Sequence, residues 1–257
     1  MQTSPETVDA RADLFDATQW SVIVNASETQ ANPAGSRAAL AALCRTYWPP
    51  LYAYARGRGL SVHDAQDLTQ GFFAYLLEHK IYKRADREKG KFRSYLLASF
   101  KNFLADARDR EQTLKRGGGR EFLPLDEGKA DSAESLFQTH HALAHEESGS
   151  DQLFDRSWAE TLVAITLGRL AAAYQAEGKE PLFQQLKGFL TVGAAPLPTY
   201  ADLAAELKIA ESTLRSHVTR FRARYREMLR AEVRRTVNWA AEVDEELREL
   251  LRVLSHN

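Results

Sequence analysis

Between Thr199 and Arg235 the apolar residues recur at steps of three and four, and no segment of the chain alternates with the period of two that a half-buried strand requires. Leu214, Val218, Phe221, Tyr225 and Leu229 fall on one face of a helix that starts near Glu211. A shorter helix precedes it. Thr199 can cap that helix, with Asp202 three residues later, and Leu203, Ala204 and Leu207 form its apolar side. Lys208, Ile209 and Ala210 make the turn between the two. Off the apolar stripe stand Arg215, Arg220, Arg222, Arg224 and Arg226. A capped short helix, a tight turn and a longer basic helix form a helix-turn-helix, the geometry that lowers side chains into a DNA major groove. The competing interpretation is a basic amphipathic helix packed on its neighbours with its arginines in water.

The rest of the chain reads as helix too, so the expected class is all-α. A short helix is expected over Asp16 to Ala26, with Trp20, Ile23 and Val24 inward, and a turn at Asn32–Gly35. Ser36 can cap a helix through Leu40, Leu43, Tyr47 and Trp48, which Pro49-Pro50 should break or kink before Leu51–Tyr54. Ser61 and Asp64 open the next helix, whose inner face is Ala65, Leu68, Phe72 and Leu76. After a basic loop, Phe92, Leu96, Phe100, Phe103 and Ala107 line a third helix that ends before Gly117-Gly118-Gly119. Trp158, Leu162, Ile165, Leu170 and Tyr174 mark a long helix, and Leu182 to Leu190 another. A final amphipathic segment carries Trp239, Val243, Leu247, Leu250, Leu251 and Leu254. There is no internal repeat.

Charge is where composition informs. The 257 residues carry a net charge of only −1, so no global field draws in a polyanion. The charge lies in blocks instead. From Lys80 to Arg120 there are 13 lysines and arginines against 5 acids, and from Glu121 to Glu160 there are 10 acids against 2 bases. Two basic surfaces separated by an acidic stretch suggest two nucleic-acid contacts joined by a self-repelling linker. Cys44 is the single cysteine, which excludes an internal disulfide and a thiolate zinc site and fits a reducing compartment. No apolar run approaches the ~20 residues that span a bilayer. The N-terminus shows no basic and apolar leader pattern, so the expectation is a cytoplasmic protein with no membrane contact.

Two further segments carry a recognisable pattern. Asp64-Ala65-Gln66-Asp67-Leu68-Thr69-Gln70-Gly71-Phe72-Phe73 resembles the D-A-E-D-L-V-Q-E-x-F signature of bacterial sigma factors. Lys91-Phe92-Arg93-Ser94-Tyr95-Leu96-Leu97 and Asn102-Phe103-Leu104-Ala105-Asp106 resemble the F-R-x-W-L…N-x-x-x-D pattern that follows it. Tyr200–Ala204 through Ser212–Ser216 is similar to the Y-x-E-I-A…x-x-T-V-K-S pattern of their last domain. The motifs stand in the family's order, over roughly 36–115 and 155–235. The resemblance is to the sigma-70 family, extracytoplasmic-function type.

That resemblance implies two helical domains joined by a flexible linker, the second containing the helix-turn-helix. The expected divisions are an N-terminal extension over 1–35, a region-2-like domain over 36–119, an acidic linker over 120–152, a region-4-like domain over 153–235 and a helical extension over 236–257. It implies that Asp64, Asp67, Leu68, Gln70 and Phe73 bind core RNA polymerase through its β′ subunit, with β a further partner. It implies that Lys91, Phe92, Arg93, Tyr95, Lys101, Asn102 and Arg108 melt and hold the −10 promoter element. Physical chemistry agrees: aromatic rings stack on unpaired bases while cations follow the phosphates, and Lys83, Arg84 and Lys89 add charge nearby. For Phe92 and Tyr95 the alternative is plain core. At the −35 element Ser212, Thr213, Arg215, Ser216 and Arg220 are the expected contacts, arginine being suited to guanine edges. Arg224, Arg226 and Arg230 are expected to face water or the polymerase.

The departures from the pattern matter as well. Gln66 and Gly71 replace the usual glutamates of the polymerase-binding helix, which leaves it less acidic. Thr69 stands among them and is a candidate phosphorylation site, where a Ser/Thr kinase would restore negative charge. An anti-sigma factor is the other candidate regulator. Lys208 stands where the family often has Gly, and Ala210 where a Ser cap is common, which costs the second helix ~1 kcal/mol. The segment 236–257 exceeds the family pattern. Its expected role is to pack back on the second domain, with blocking of DNA or binding of a partner as the alternatives.

Other signals are weak. His140, His141 and His145 beside Glu146 and Glu147 lie in a loop-like acidic stretch, so no metal is expected, nor any other cofactor. Gly117–Gly119 is not a phosphate loop. No nucleophile, base and orienting group stand together, so the chain is not expected to be an enzyme. The readings set against the sigma factor are a stand-alone helix-turn-helix regulator and an enzyme acting on nucleic acid.

Overall fold

The computed structural model describes residues 33–81, 91–114, 133–135, 137–138, 149–190, 198–237 and 239–255. Among them the secondary structure is helical, with no strand. The helices are α1 (Pro33–Gly57), α2 (Val62–Glu78), α3 (Phe92–Leu114), α4 (Ser150–Ala176), α5 (Glu180–Leu186), α6 (Tyr200–Glu206), α7 (Glu211–Thr236) and α8 (Val243–Ser255). Short 3-10 turns follow α5 at Lys187–Leu190 and precede α8 at Ala240–Glu242. The expected helix over 16–26, most of the basic loop, Gly117–Gly119, most of the acidic linker and the histidine group lie outside the described residues.

The chain divides into two compact units. One comprises residues 1–161 together with 234–257, the other 162–233. The division falls inside α4 and again inside α7, which moves two of the expected boundaries. Leu153, Phe154, Trp158 and Ala159 are buried in the first unit, not the second. The close approach of α4 to the end of α1 explains this: a Cβ on Gly57 would stand 2.6 Å from Leu153 Cδ1 and 3.4 Å from Ser150 Cα. The C-terminal extension also joins the first unit, and the expectation that it packs on the second is corrected.

In the first unit α1, α2 and α3 converge on an aromatic core. Phe72 meets Phe100 with ring centroids 5.0 Å apart, and Tyr47 meets Phe92 edge-on at 5.5 Å. Leu51, Tyr52, Leu76 and Leu96 complete it. Contrary to expectation α1 continues through Pro49 and Pro50. Each interior proline costs about 3 kcal/mol in a helix, and the full burial of Tyr47, Leu51, Tyr52 and Ala55 on the same helix opposes that cost. Ser61 caps α2 as expected, accepting from the Asp64 N–H at 3.1 Å.

Part of the segment expected to be linker is docked. Glu134 accepts from Nε and Nη2 along one edge of the Arg56 guanidinium, each at 3.0 Å, and from the Tyr52 hydroxyl, and Arg56 also lies 4.9 Å from the Phe137 ring centroid. Ala133 and Phe137 are buried. Burial pushes the Glu134 carboxyl up, but the hydrogen bonds from Arg56, Tyr52 and Gln138 outweigh it and hold it below the usual range.

The second unit has its own core of Leu170, Tyr174, Phe183, Leu186, Phe189, Leu203, Leu214, Val218 and Phe221. Phe221 takes Tyr174 and Phe183 edge-on at 5.4 and 5.9 Å. Arg169 reaches the buried Glu232 in an ion pair.

Candidate nucleic-acid interfaces

The first candidate face is built on α6 and α7. Thr199 Oγ1 accepts from the Asp202 N–H at 3.1 Å and donates to Asp202 Oδ2 at 2.6 Å, a reciprocal cap that fixes where α6 begins. Its end is a Schellman closure: the Ile209 N–H reaches Ala204 O at 3.0 Å and the Lys208 N–H reaches Ala205 O at 3.2 Å. Lys208 holds the left-handed position at φ 54°, where glycine is the unstrained residue. Ala210 then supplies the carbonyl that accepts from Leu214, at 3.1 Å, but its methyl side chain caps nothing.

Burying Leu214, Val218 and Phe221 turns Ser212, Thr213, Arg215, Ser216, Thr219 and Arg220 to solvent. Arg215 is held in place: Nε and an NH2 donate to Glu211 Oε1 at 2.9 and 2.5 Å, and its guanidinium lies 4.6 Å from the Tyr200 ring centroid. Arg220 Nε leans back on Ser216 O at 3.3 Å. All five residues expected at the −35 element are thus exposed on one helix. Arg222 and Arg224 have structural partners. Arg222 Nε donates to Phe189 O at 3.1 Å; Arg224 pairs with Glu177 at 2.7 Å and lies 5.3 Å from the Tyr174 ring centroid. Hydrogen bonds from Lys179 and Arg224 hold the Glu177 carboxyl below its ordinary range. Arg224, expected to face water or polymerase, faces its own unit instead.

The second candidate face lies on α2 and α3 of the first unit. Asp64 and Asp67 are exposed, and Gln66, Leu68 and Gln70 are half-buried. Phe73 does not belong with them. At 3% exposure it packs against Phe72 at 6.0 Å and offers nothing to a partner. Thr69 is 0% exposed, so in this fold its hydroxyl is out of reach of a kinase. Both residues point inward because the face that buries Ala65, Phe72 and Leu76 is broad enough to take in their neighbours.

Along α3 the expected contacts separate. Phe92 is core, against Tyr47, and is corrected as a base-stacking residue. Tyr95 is half-buried and donates its hydroxyl to Ile81 O at 2.8 Å. Asn102 and Arg108 are exposed. Arg108, Lys101 and Arg58 border a groove of about 390 Å³ floored by Tyr54, Leu60 and Leu104. Lys91, Arg93 and Lys101 are each paired with acids of the same unit. Lys91 Nζ stands 2.7 Å from Glu246 and 3.5 Å from Glu245, and Lys101 Nζ 2.7 Å from Asp151. Arg93 is 7% exposed, 2.8 Å from Glu246, ion-paired to Asp155 and 4.5 Å from the Trp158 ring centroid. Arg93 is therefore not at the surface as expected. Burial pushes the Asp155 carboxyl above its ordinary range, with Arg93 pulling the other way. Burial pulls Lys91 down, but Glu246 outweighs it and leaves the ammonium raised.

Sequence reasoning missed these acids. The available signal was Glu246 itself. Val243, Glu246 and Leu250 share the inner stripe of α8, and an acid at such a register requires a buried cation.

Among the described residues no group of three or more His, Cys, Asp or Glu could hold a metal ion, and no helix is long and apolar enough to cross a membrane. No family model matches the chain, and neither a curated protein nor a solved structure matches it.

Proposed function

We propose that the chain is a sigma factor of the extracytoplasmic-function type, binding core RNA polymerase and directing it to promoters. The observation that carries this reading is the α6–turn–α7 unit, a short capped helix, a tight turn and a longer helix along which Ser212, Thr213, Arg215, Ser216 and Arg220 are exposed. Such a helix offers hydroxyls and guanidinium groups of the kind that meet phosphates and guanine edges in a major groove, for reading the −35 element. The ordered motifs on α2 and α3 support it. Exposed Asp64 and Asp67, flanked by Leu68 and Gln70, form an acidic face suited to the β′ subunit. Tyr95, Lys101, Asn102 and Arg108 serve the −10 element, with Lys91 and Arg93 behind them. The protein contributes no catalysis of its own. The burial of Thr69 weighs against phosphorylation there as the control.

The test is run-off transcription on genomic DNA fragments with purified bacterial core polymerase, with and without the protein. New discrete start sites preceded by two shared elements are expected. A stand-alone regulator would instead bind duplex DNA in a salt-dependent shift, fail to co-purify with polymerase and create no new starts.

A further inference from the structure

The cationic strip at the start of α3 is occupied by carboxylates of the same chain. Glu246 lies between Lys91 at 2.7 Å and Arg93 at 2.8 Å, and its side chain is only 2% exposed. Asp155 takes the other edge of Arg93, and Asp151 holds Lys101 at 2.7 Å. These oxygens sit where phosphates would sit if the strip held nucleic acid, as charge-assisted partners of the same cations. Two apolar residues, Val243 and Leu250, anchor α8 beside the buried carboxylate. A leucine at 246 would avoid the desolvation cost that a buried ion pair incurs. The acid makes the contact exchangeable, because a polyanion can replace a carboxylate but not a leucine.

We propose that α8 is an intramolecular plug: with Asp151 and Asp155 it neutralises Lys91, Arg93 and Lys101 in the free chain, and single-stranded DNA displaces it. The inference rests on the reading of α3 as a nucleic-acid face. Glu246 is the latch, since Glu245 is 64% exposed and its pair with Lys91 is largely screened. Trp158, on α4 and not on α8, lies 4.5 Å from the Arg93 guanidinium, so this contact does not depend on the plug.

The experiment uses the full chain and a dye-labelled mixed-sequence single-stranded DNA of about 20 nucleotides. Affinity is read by anisotropy and location by peptide-resolved hydrogen exchange. On adding DNA, exchange is expected to slow over 91–101 and to quicken over 243–255. Glu246→Gln should bind about fivefold tighter or better, with 243–255 already exchanging fast before DNA is added. Asp151→Asn releases the outer pair with Lys101 and leaves Glu246 between Lys91 and Arg93, and should gain about twofold. If 91–101 slows while 243–255 is unmoved and all affinities are equal, α8 is a fixed part of the unit; the plug is overturned and the reading of α3 stands. If 91–101 slows in no variant, α3 is not a nucleic-acid face, and the inference falls with that reading.

Discussion

Two residues hold conformations or surroundings that their chemistry does not favour, and each yields a stability prediction. Lys208 occupies the left-handed position that closes α6. A non-glycine residue there carries strain of roughly 1 kcal/mol, while glycine relieves the strain but loses unfolded-state order of comparable size. Lys208→Gly should therefore be neutral or stabilising by up to about 1 kcal/mol, and Lys208→Val, whose branched Cβ crowds that region, should cost about 1–2 kcal/mol. Thermal melts of the three proteins check the order. Thr69 is fully buried, and its Oγ1 finds no hydrogen-bond partner among the described residues. Valine has the same shape without the unsatisfied hydroxyl, so Thr69→Val should stabilise by about 1 kcal/mol in denaturant unfolding. A loss of stability would mean that the hydroxyl has a partner elsewhere in the chain.

At the scale of elements, the docked segment around Glu134 behaves as a separable clasp on α1. Its carboxylate is held below the ordinary glutamate range, so the folded state binds that proton less readily than the unfolded state. The clasp is therefore fully present above the unfolded value of about 4.3 and is lost as pH falls through the lower folded value. Glu134→Gln should lower stability by about 1–2 kcal/mol at neutral pH, given a bidentate arginine pair that is mostly buried. Melting temperatures of the two proteins should differ at pH 7 and converge as the pH drops below about 4. No gap at any pH would mean that Phe137 and Ala133, not the charge, hold the segment. This element also shows what a composition argument misses. Ten acids in forty residues resemble a solvated linker, yet one of them is matched to Arg56 on a helix about eighty residues earlier. Nothing in local periodicity points to such a partner, whereas caps such as Ser61–Asp64 and Thr199–Asp202 are legible because both members lie within one turn.

Across the whole molecule, apolar spacing located α2, α3, α6 and α7 because each buries a stripe set by its own sequence. It also placed the five exposed residues at the start of α7, since whatever lies off a stripe faces water. It could not rank residues at a stripe's margin, which is why Phe73 and Thr69 proved to be interior; Phe92 lay on the α3 stripe itself, and its expected DNA role came from the resemblance, not from the spacing. Nor could it show that α4 and α7 each contribute to two cores. That division carries a consequence for unfolding. All four tryptophans, at positions 20, 48, 158 and 239, lie outside 162–233, so tryptophan emission reports the first unit while far-ultraviolet circular dichroism reports both. Phe221 is at the centre of the second core, against Tyr174 and Phe183, and truncating a buried phenylalanine costs about 3–5 kcal/mol. Phe221→Ala should shift the dichroism transition to lower urea and broaden it or split it in two. The tryptophan transition should move much less, because Trp48 and Trp158 are buried with the other core. If both probes shift together by the full amount, the continuous helices α4 and α7 couple the units into one cooperative block, and separate cores do not make separate folding units here.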